Sequence, residues 1–280
     1  MPDPSPFDVV NSAGGSPVFL TCEHAGRAIP RALGDLGIAA SEMERHIAYD
    51  IGAEQVSLQL SRRLDAALVL QPYSRLVVDC NRPLDATDCI PEVSDGTAIP
   101  ANAKLNASVR QQRFDGIHQP FHDEIRRLLD KRLTEEKPTV LVSVHSFTPK
   151  LLTACKKRPW HIGLLHNRDD KLARQMMTSL NKHAVDLQTE FNEPYAVDDL
   201  SDYTIPIHGE KRGIPHVLLE IRNDEIGSSA GQERWAGLLA AVLSDITEGD
   251  RLSAWTRPRS RRAYQATGQD AHEAKSFAAQ

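Results

Sequence analysis

The chain lacks a Cys-x-x-Cys pair, an excess of basic charge and any apolar run long enough to cross a bilayer, and each absence closes off a class of function. Its cysteines, Cys22, Cys80, Cys89 and Cys155, are scattered. Disulfide-built domains are smaller and denser in cysteine, so reduced thiols in a cytoplasmic protein are expected. The opening Met1-Pro2-Asp3-Pro4-Ser5-Pro6 has no basic region followed by an apolar stretch, and no signal peptide is read there. A membrane span needs about 18 consecutive apolar residues, which the chain never approaches. The net charge is −5 and the pI about 6.1, so no global basic field exists to attract nucleic acid. There is no internal repeat.

What is present suits a soluble globular protein: 280 residues, 40 % apolar and 25 % charged. Residues 1–16, rich in Pro, Ser and Gly, read as a loose leader, and 251–280 as a polar tail. A single domain is expected over 17–250. Within it, apolar runs predict strands at 17–21, 67–70, 75–79, 139–144, 161–165 and 216–221. Helical spacing predicts helices over about 42–65, 103–133, 169–183 and 231–246. Strands separated by helices imply an α/β fold, three-layer αβα, with a central mixed, largely parallel sheet. The stretches 84–102 and 190–213 are rich in Pro, Asp and Gly and read as long loops of the kind that cover active sites.

Several apolar runs end in chemistry-bearing residues: Thr21-Cys22-Glu23-His24-Ala25-Gly26, Val144-His145, and Leu219-Glu220-Ile221-Arg222. Open α/β sheets bind ligands beyond the carboxyl ends of their strands, so these groups can converge although they lie far apart in sequence. His24 and His145 offer two imidazole metal ligands. For an acidic third ligand Asp50 is preferred over Glu23, because neighbours within a strand point to opposite faces. Asp50 also has an ordinary reading, a helix-opening acid favoured by the dipole. Glu220 sits where burial without a partner is expensive. It reads either as an ion pair of Arg222 or as a base that takes a proton from activated water.

His118-Gln119-Pro120-Phe121-His122 is a competing metal motif, but it lacks the internal glutamate of His-Glu-x-x-His, and Pro120 disturbs a helix beyond its first turn. His46 and Asp50 share the same spacing and the same caution. Arg75 and the Asn81-Arg82 pair suit a small carboxylate ligand, since the guanidinium fork can hold one in bidentate fashion.

Ser74-Arg75-Leu76-Val77-Val78-Asp79-Cys80-Asn81-Arg82 is similar to the Ser-Arg-x-Val-x-Asp-x-Asn-Arg signature of the N-formylglutamate amidohydrolase family. His24-Ala25-Gly26-Arg27-Ala28-Ile29-Pro30 resembles that family's opening motif. Pro120-Phe121-His122, Asn192-Glu193-Pro194-Tyr195 and Glu220-Ile221-Arg222-Asn223-Asp224 match further blocks, and the resemblance runs in order from about residue 15 to 247. It implies a fold like that of zinc carboxypeptidases and aspartoacylases, one divalent metal, zinc, and a small anionic N-acyl amino acid as substrate. On that template His24 and His145 ligate the metal, Glu220 is the base, and Arg75 polarises the scissile carbonyl. Asn81 and Arg82 bind the substrate carboxylate, with His122, Tyr195 and Arg222 as further substrate contacts. Relatives of that fold take their second ligand from a glutamate three residues after the first histidine. Here that position is Arg27, which cannot ligate, so the acidic ligand falls to Asp50. The departure of Glu23-His24-Ala25-Gly26 from the usual Pro-His-Ser-Gly marks a divergent subgroup. Two other readings compete: a metallopeptidase or amidase of wider range, and a non-enzymatic binder of small acids.

Overall fold

A computed structural model of the protein describes residues 2–248, so the expected tail at 251–280 lies outside the described residues. Seven strands form one sheet. They are β1 (Asp8–Val10), β2 (Val18–Cys22), β3 (Ala67–Leu70), β6 (Val140–Phe147), β7 (Ile162–Leu165), β8 (Thr189–Phe191) and β9 (His216–Arg222), with β4 (Val93–Ser94) and β5 (Thr97–Ala98) making a separate hairpin. Across the sheet the order is β1-β3-β2-β6-β9-β7-β8. Strands β3, β2, β6 and β9 are parallel neighbours; β1 runs antiparallel to β3, and β7 antiparallel to β9.

Side-chain alternation divides the apolar residues of these strands between two cores. Val18, Leu20, Val140, Val142 and Val144 face one side, where α1 (Ala53–Leu64), α4 (Lys171–His183) and α5 (Ser229–Thr247) cover them. Phe19, Val69 and Leu141 face the other, with α3 (Gln119–Thr134) supplying Phe121, Ile125 and Leu128. The expected αβα layering with a mixed, largely parallel sheet is what the chain adopts. Among the described residues no helix is long and apolar enough to cross a membrane.

Four expectations are corrected. First, residues 75–79 are not a strand. Leu76, Val77 and Val78 are buried, but their backbone is bonded as turns: Val77 N–H donates to Ser74 O (2.9 Å) and Asp79 N–H to Cys89 O (2.7 Å). Second, the stretch read as a loose leader contains β1, whose Val9 pairs with Val69, and Pro6 O accepts from Gln71 Nε2 (2.8 Å). Third, the helix expected over 42–65 begins only at Ala53. Gly52 stands before it at φ 82°, where a Cβ would meet Ile226 O at 2.2 Å, so the chain must turn there and only glycine fits. The long helix expected over 103–133 is likewise divided into α2 (Ala107–Arg113), a π-turn at Phe114–His118 and α3. The π-turn lets Pro120 fall in the first turn of α3, where its missing N–H costs nothing.

Candidate metal centre and active site

Strand β2 ends at Cys22, so Glu23 and His24 lie in the turn that follows, next to the carboxyl ends of β6 and β9. The turn is tied to the segment before α1 by Asp50 N–H, which donates to His24 O (2.9 Å). Strands β6 and β9 run in register with His145 opposite Glu220. Three connections far apart in sequence thus bring His24, Asp50 and His145 together, all buried.

The facing atoms are His24 Nδ1, His145 Nδ1 and Asp50 Oδ2. The two ring nitrogens are 3.0 Å apart, and Asp50 Oδ2 lies 2.8 Å from His145 Nδ1 and 3.4 Å from His24 Nδ1. Ligand atoms of a tetrahedral zinc site stand roughly 3.3 Å apart, given Zn–N bonds of about 2.0–2.1 Å. Each histidine is backed by a carboxylate on its other nitrogen. His24 Nε2 bonds Asp79 Oδ1 (2.7 Å), while His145 Nε2 is 2.9 Å from Glu23 Oε2. A carboxylate behind the imidazole fixes the tautomer and presents the remaining nitrogen as a donor to a cation, the usual arrangement around metal-bound histidine. Three electron-pair donors facing one another in a buried space repel unless a cation lies among them. The residues present therefore fit a divalent metal.

The surrounding charges are held ionised. Burial alone would raise the Glu23 carboxyl, but His145 outweighs it and holds the group well below the usual range. The same balance holds for Asp50, where His24 and His145 win, and for Asp79, where Arg75 and then His24 win. Arg75 grips Asp79 Oδ2 through Nε (2.9 Å) and Nη2 (2.6 Å), and its Nη1 is 3.5 Å from Asp50 Oδ1. Glu220 goes the other way. It is only 8 % exposed, and burial pushes its carboxyl up to about 8, against the opposing pull of His145. Its Oε2 has no hydrogen-bond partner among the described residues.

A cavity of about 220 Å³ opens beside this cluster, with Arg75, Asp79, His46, Asp95, Thr153 and Tyr195 among its walls. Tyr195 stands at its rim, 43 % exposed. It is carried by a turn that Gly163 admits: a Cβ on Gly163, which pairs with Glu220 in the sheet, would meet Glu193 O at 1.7 Å.

Other residues expected at the substrate have different surroundings. Asn81 Nδ2 donates to Asp202 Oδ1 (3.0 Å), and its Oδ1 accepts from Thr204 N–H (3.0 Å). Arg82 is bound to Asp88, Asp202 and Ser201 O. Both thereby hold the 198–204 loop. Arg222 is committed to Asp224, Glu225 and Pro159 O. His122 is fully buried with both ring nitrogens taken, Nε2 by Cys80 O (2.6 Å) and Nδ1 by His208 Nε2 (3.0 Å). The alternative reading of Glu220 as an ion pair of Arg222 finds no such pair among the described residues, and Arg27 lies at the surface paired with Glu44.

Two carboxylates behind the histidines carry weak sequence signals. Glu23 lies outside the trio but stands behind His145, because strand alternation ceases to apply once the strand ends at Cys22. Asp79, inside the signature segment, carries the outer carboxylate of His24, and its own motif was the available signal.

Below this site His118, His122 and His208 form a buried group with Tyr203, and His118 stacks on Phe114 at 3.8 Å. Burial holds all three imidazoles neutral, His118 lowered to about 3. An unfolded histidine takes a proton below about pH 6.5, whereas folded His118 does not, so stability from this residue is intact above that pH and lost below it. Relative to a His118→Asn variant, the wild type should lose up to about 1.4 kcal/mol per pH unit between pH 6.5 and 5. Urea denaturation of both proteins across that range measures the difference, and parallel curves would refute it.

The family described as N-formylglutamate amidohydrolase matches residues 16–227. A gene product of Agrobacterium tumefaciens with a solved crystal structure is 35 % identical over 88 % of this chain and 97 % of its own, with a TM-score of 0.82. An N-formylglutamate amidohydrolase from Ralstonia eutropha superposes with a TM-score of 0.61 at 15 % identity, covering 88 % of this chain and 98 % of its own, a likeness of fold. Comparison with curated proteins gives no match. With Asp79 of its signature segment bonded to His24 and residues 16–227 matched, the chain belongs to the N-formylglutamate amidohydrolase family.

Proposed function

We propose that the protein hydrolyses the amide bond of an N-formyl or related N-acyl acidic amino acid, N-formylglutamate foremost, with one divalent metal, zinc, held by His24, Asp50 and His145. The observation that carries this reading is a buried, unpartnered carboxyl of raised proton affinity, Glu220, set in register opposite one member of a His–Asp–His trio. A structural ion pair would have a cation at Glu220 and would lower its proton affinity. A base that must accept and return a proton near neutral pH needs the opposite.

A divalent cation in the trio supplies the Lewis acidity that amide hydrolysis needs at neutral pH. Glu220 takes a proton from the attacking water as its oxygen bonds to the acyl carbon. It returns that proton to the nitrogen as the C–N bond breaks, giving formate and the free amino acid. Arg75, its charge fixed by Asp79, faces the cavity and stabilises the negative charge that grows on the acyl oxygen.

Formate release from N-formyl-L-glutamate by zinc-loaded protein tests the reading. Saturable hydrolysis with a KM of roughly 1 μM–1 mM is expected. No release from any N-formyl amino acid by metal-loaded protein would overturn it.

A further inference from the structure

A diacid substrate brings two negative charges, yet the arginines that sequence reading assigned to them are bound elsewhere. Arg82 and Arg222 hold loops, and Arg75 is locked onto Asp79 beside the metal ligands. Resting on the amidohydrolase reading of this site, we propose that Arg158, standing behind Tyr195, binds the substrate carboxylate farthest from the scissile amide. It would thereby set a preference for N-formyl diacids over their side-chain amides.

Arg158 has no carboxylate partner among the described residues. Among the described residues its guanidinium finds its polar and ring contacts at Tyr195: Nη1 donates to the phenolic oxygen (2.8 Å), and the guanidinium carbon lies 4.8 Å from the ring centroid. That leaves four of the five guanidinium N–H groups with no partner among the described residues. A carboxylate is a stronger acceptor than a neutral phenol, so an arriving diacid gains by meeting this group. The phenol that holds it lines the cavity together with Arg75, so Arg158 stands directly against a residue of the cavity wall.

The segment carrying Arg158 is anchored at its neck and again midway along it. Arg158 N–H donates to Pro149 O (3.0 Å), closing the loop at its neck. Further along, Asp95 at the β4–β5 turn accepts from Leu152 N–H, Thr153 N–H and Thr153 Oγ1, each at 3.0–3.1 Å. The same carboxylate accepts from Arg45 Nη2 (2.9 Å). Lys150, Lys156 and Lys157 ride on the same loop, likewise with no ion pair among the described residues, while Asp79, Asp88 and Asp95 line the cavity itself. The loop therefore offers an anion one positioned fork at Arg158. A role for Arg158 in packing alone would use the ring face and make no distinction between an acid and an amide.

The test compares binding of N-formyl-L-glutamate and N-formyl-L-glutamine by calorimetry, in metal-loaded protein carrying Glu220→Gln so that the ligands persist. We expect the acid to bind about tenfold or more tightly than the amide, as one charge-assisted hydrogen-bonded contact provides. Adding Arg158→Gln should bring that ratio close to one, Arg158→Lys should restore part of it, and Lys156→Gln should keep it. The proposal is overturned by an unchanged ratio in Arg158→Gln, by no preference for the acid at all, or by an equal loss in Lys156→Gln, which would make the field of the whole loop responsible. If the ratio responds as expected but Glu220-intact protein releases no formate, the amidase reading fails and the Arg158 assignment stands. Hydrolysis with an unresponsive ratio gives the reverse.

Discussion

Glu220→Gln is expected to lower kcat for N-formylglutamate by about 10²–10⁴-fold, the span of a positioned acid–base group, while metal content stays unchanged. Glutamine keeps the size of the side chain and its place opposite His145 but cannot accept and return a proton. The loss should fall on kcat and kcat/KM alike, because the proton moves only as the reaction proceeds. Steady-state kinetics on protein whose metal has been quantified separates this from a binding defect. A variant that kept the wild-type rate would remove Glu220 from the chemistry and leave its unpartnered oxygen without a function.

The second large effect is expected at Asp50. Its Oδ2 meets His145 Nδ1 at 2.8 Å, and Ser146 N–H at 3.1 Å fixes it from behind. Asp50→Ala should reduce metal affinity by well over 100-fold, beyond the 10–100-fold typical of an outer partner. Asp79→Asn, which weakens the carboxylate behind His24, should fall within that smaller range. Removing Asp50 also strips a buried charge from its partners, so denaturation should report a loss on the order of 3 kcal/mol. Competition against a chromophoric chelator measures both affinities. An equal effect of the two substitutions would contradict the division into ligand and outer partner.

Much of the sheet was legible because its central strands are buried on both faces. Val18–Cys22, Ala67–Leu70, Val140–Phe147 and His216–Arg222 read as apolar runs and are strands with bounds shifted by a few residues at most. The same logic misled at Leu76-Val77-Val78, where burial is real but the backbone bonds to turns, and apolar content cannot tell a ladder from a packed loop. Short edge strands such as Asp8–Val10 and Thr189–Phe191 are half exposed and mixed in polarity, so they left no run to read.

His24 and His145 are legible from where strands end, a local signal, whereas Asp50 stands in the segment before α1 and is indicated by the resemblance, since Arg27 cannot ligate. Occupied side chains were invisible for the opposite reason. Asn81 is bound to Asp202, 121 residues away, and no spacing rule connects them. Arg222 is held partly by neighbours in sequence, Asp224 and Glu225, and partly by Pro159 O, 63 residues away. An arginine beside an asparagine looks alike in sequence whether it meets a substrate or a loop. Arg158 drew no notice because it stands in a polar loop and meets Tyr195 only in three dimensions.

The central claim is that the buried His24–Asp50–His145 trio holds a metal on which amide hydrolysis depends. Its most direct test is elemental analysis of the purified protein coupled to formate release before chelation, after chelation and after zinc is restored. The account predicts about one divalent ion per chain, loss of formate release when the ion is removed, and its return with zinc. Full hydrolysis of N-formylglutamate by protein shown to carry no metal would contradict it.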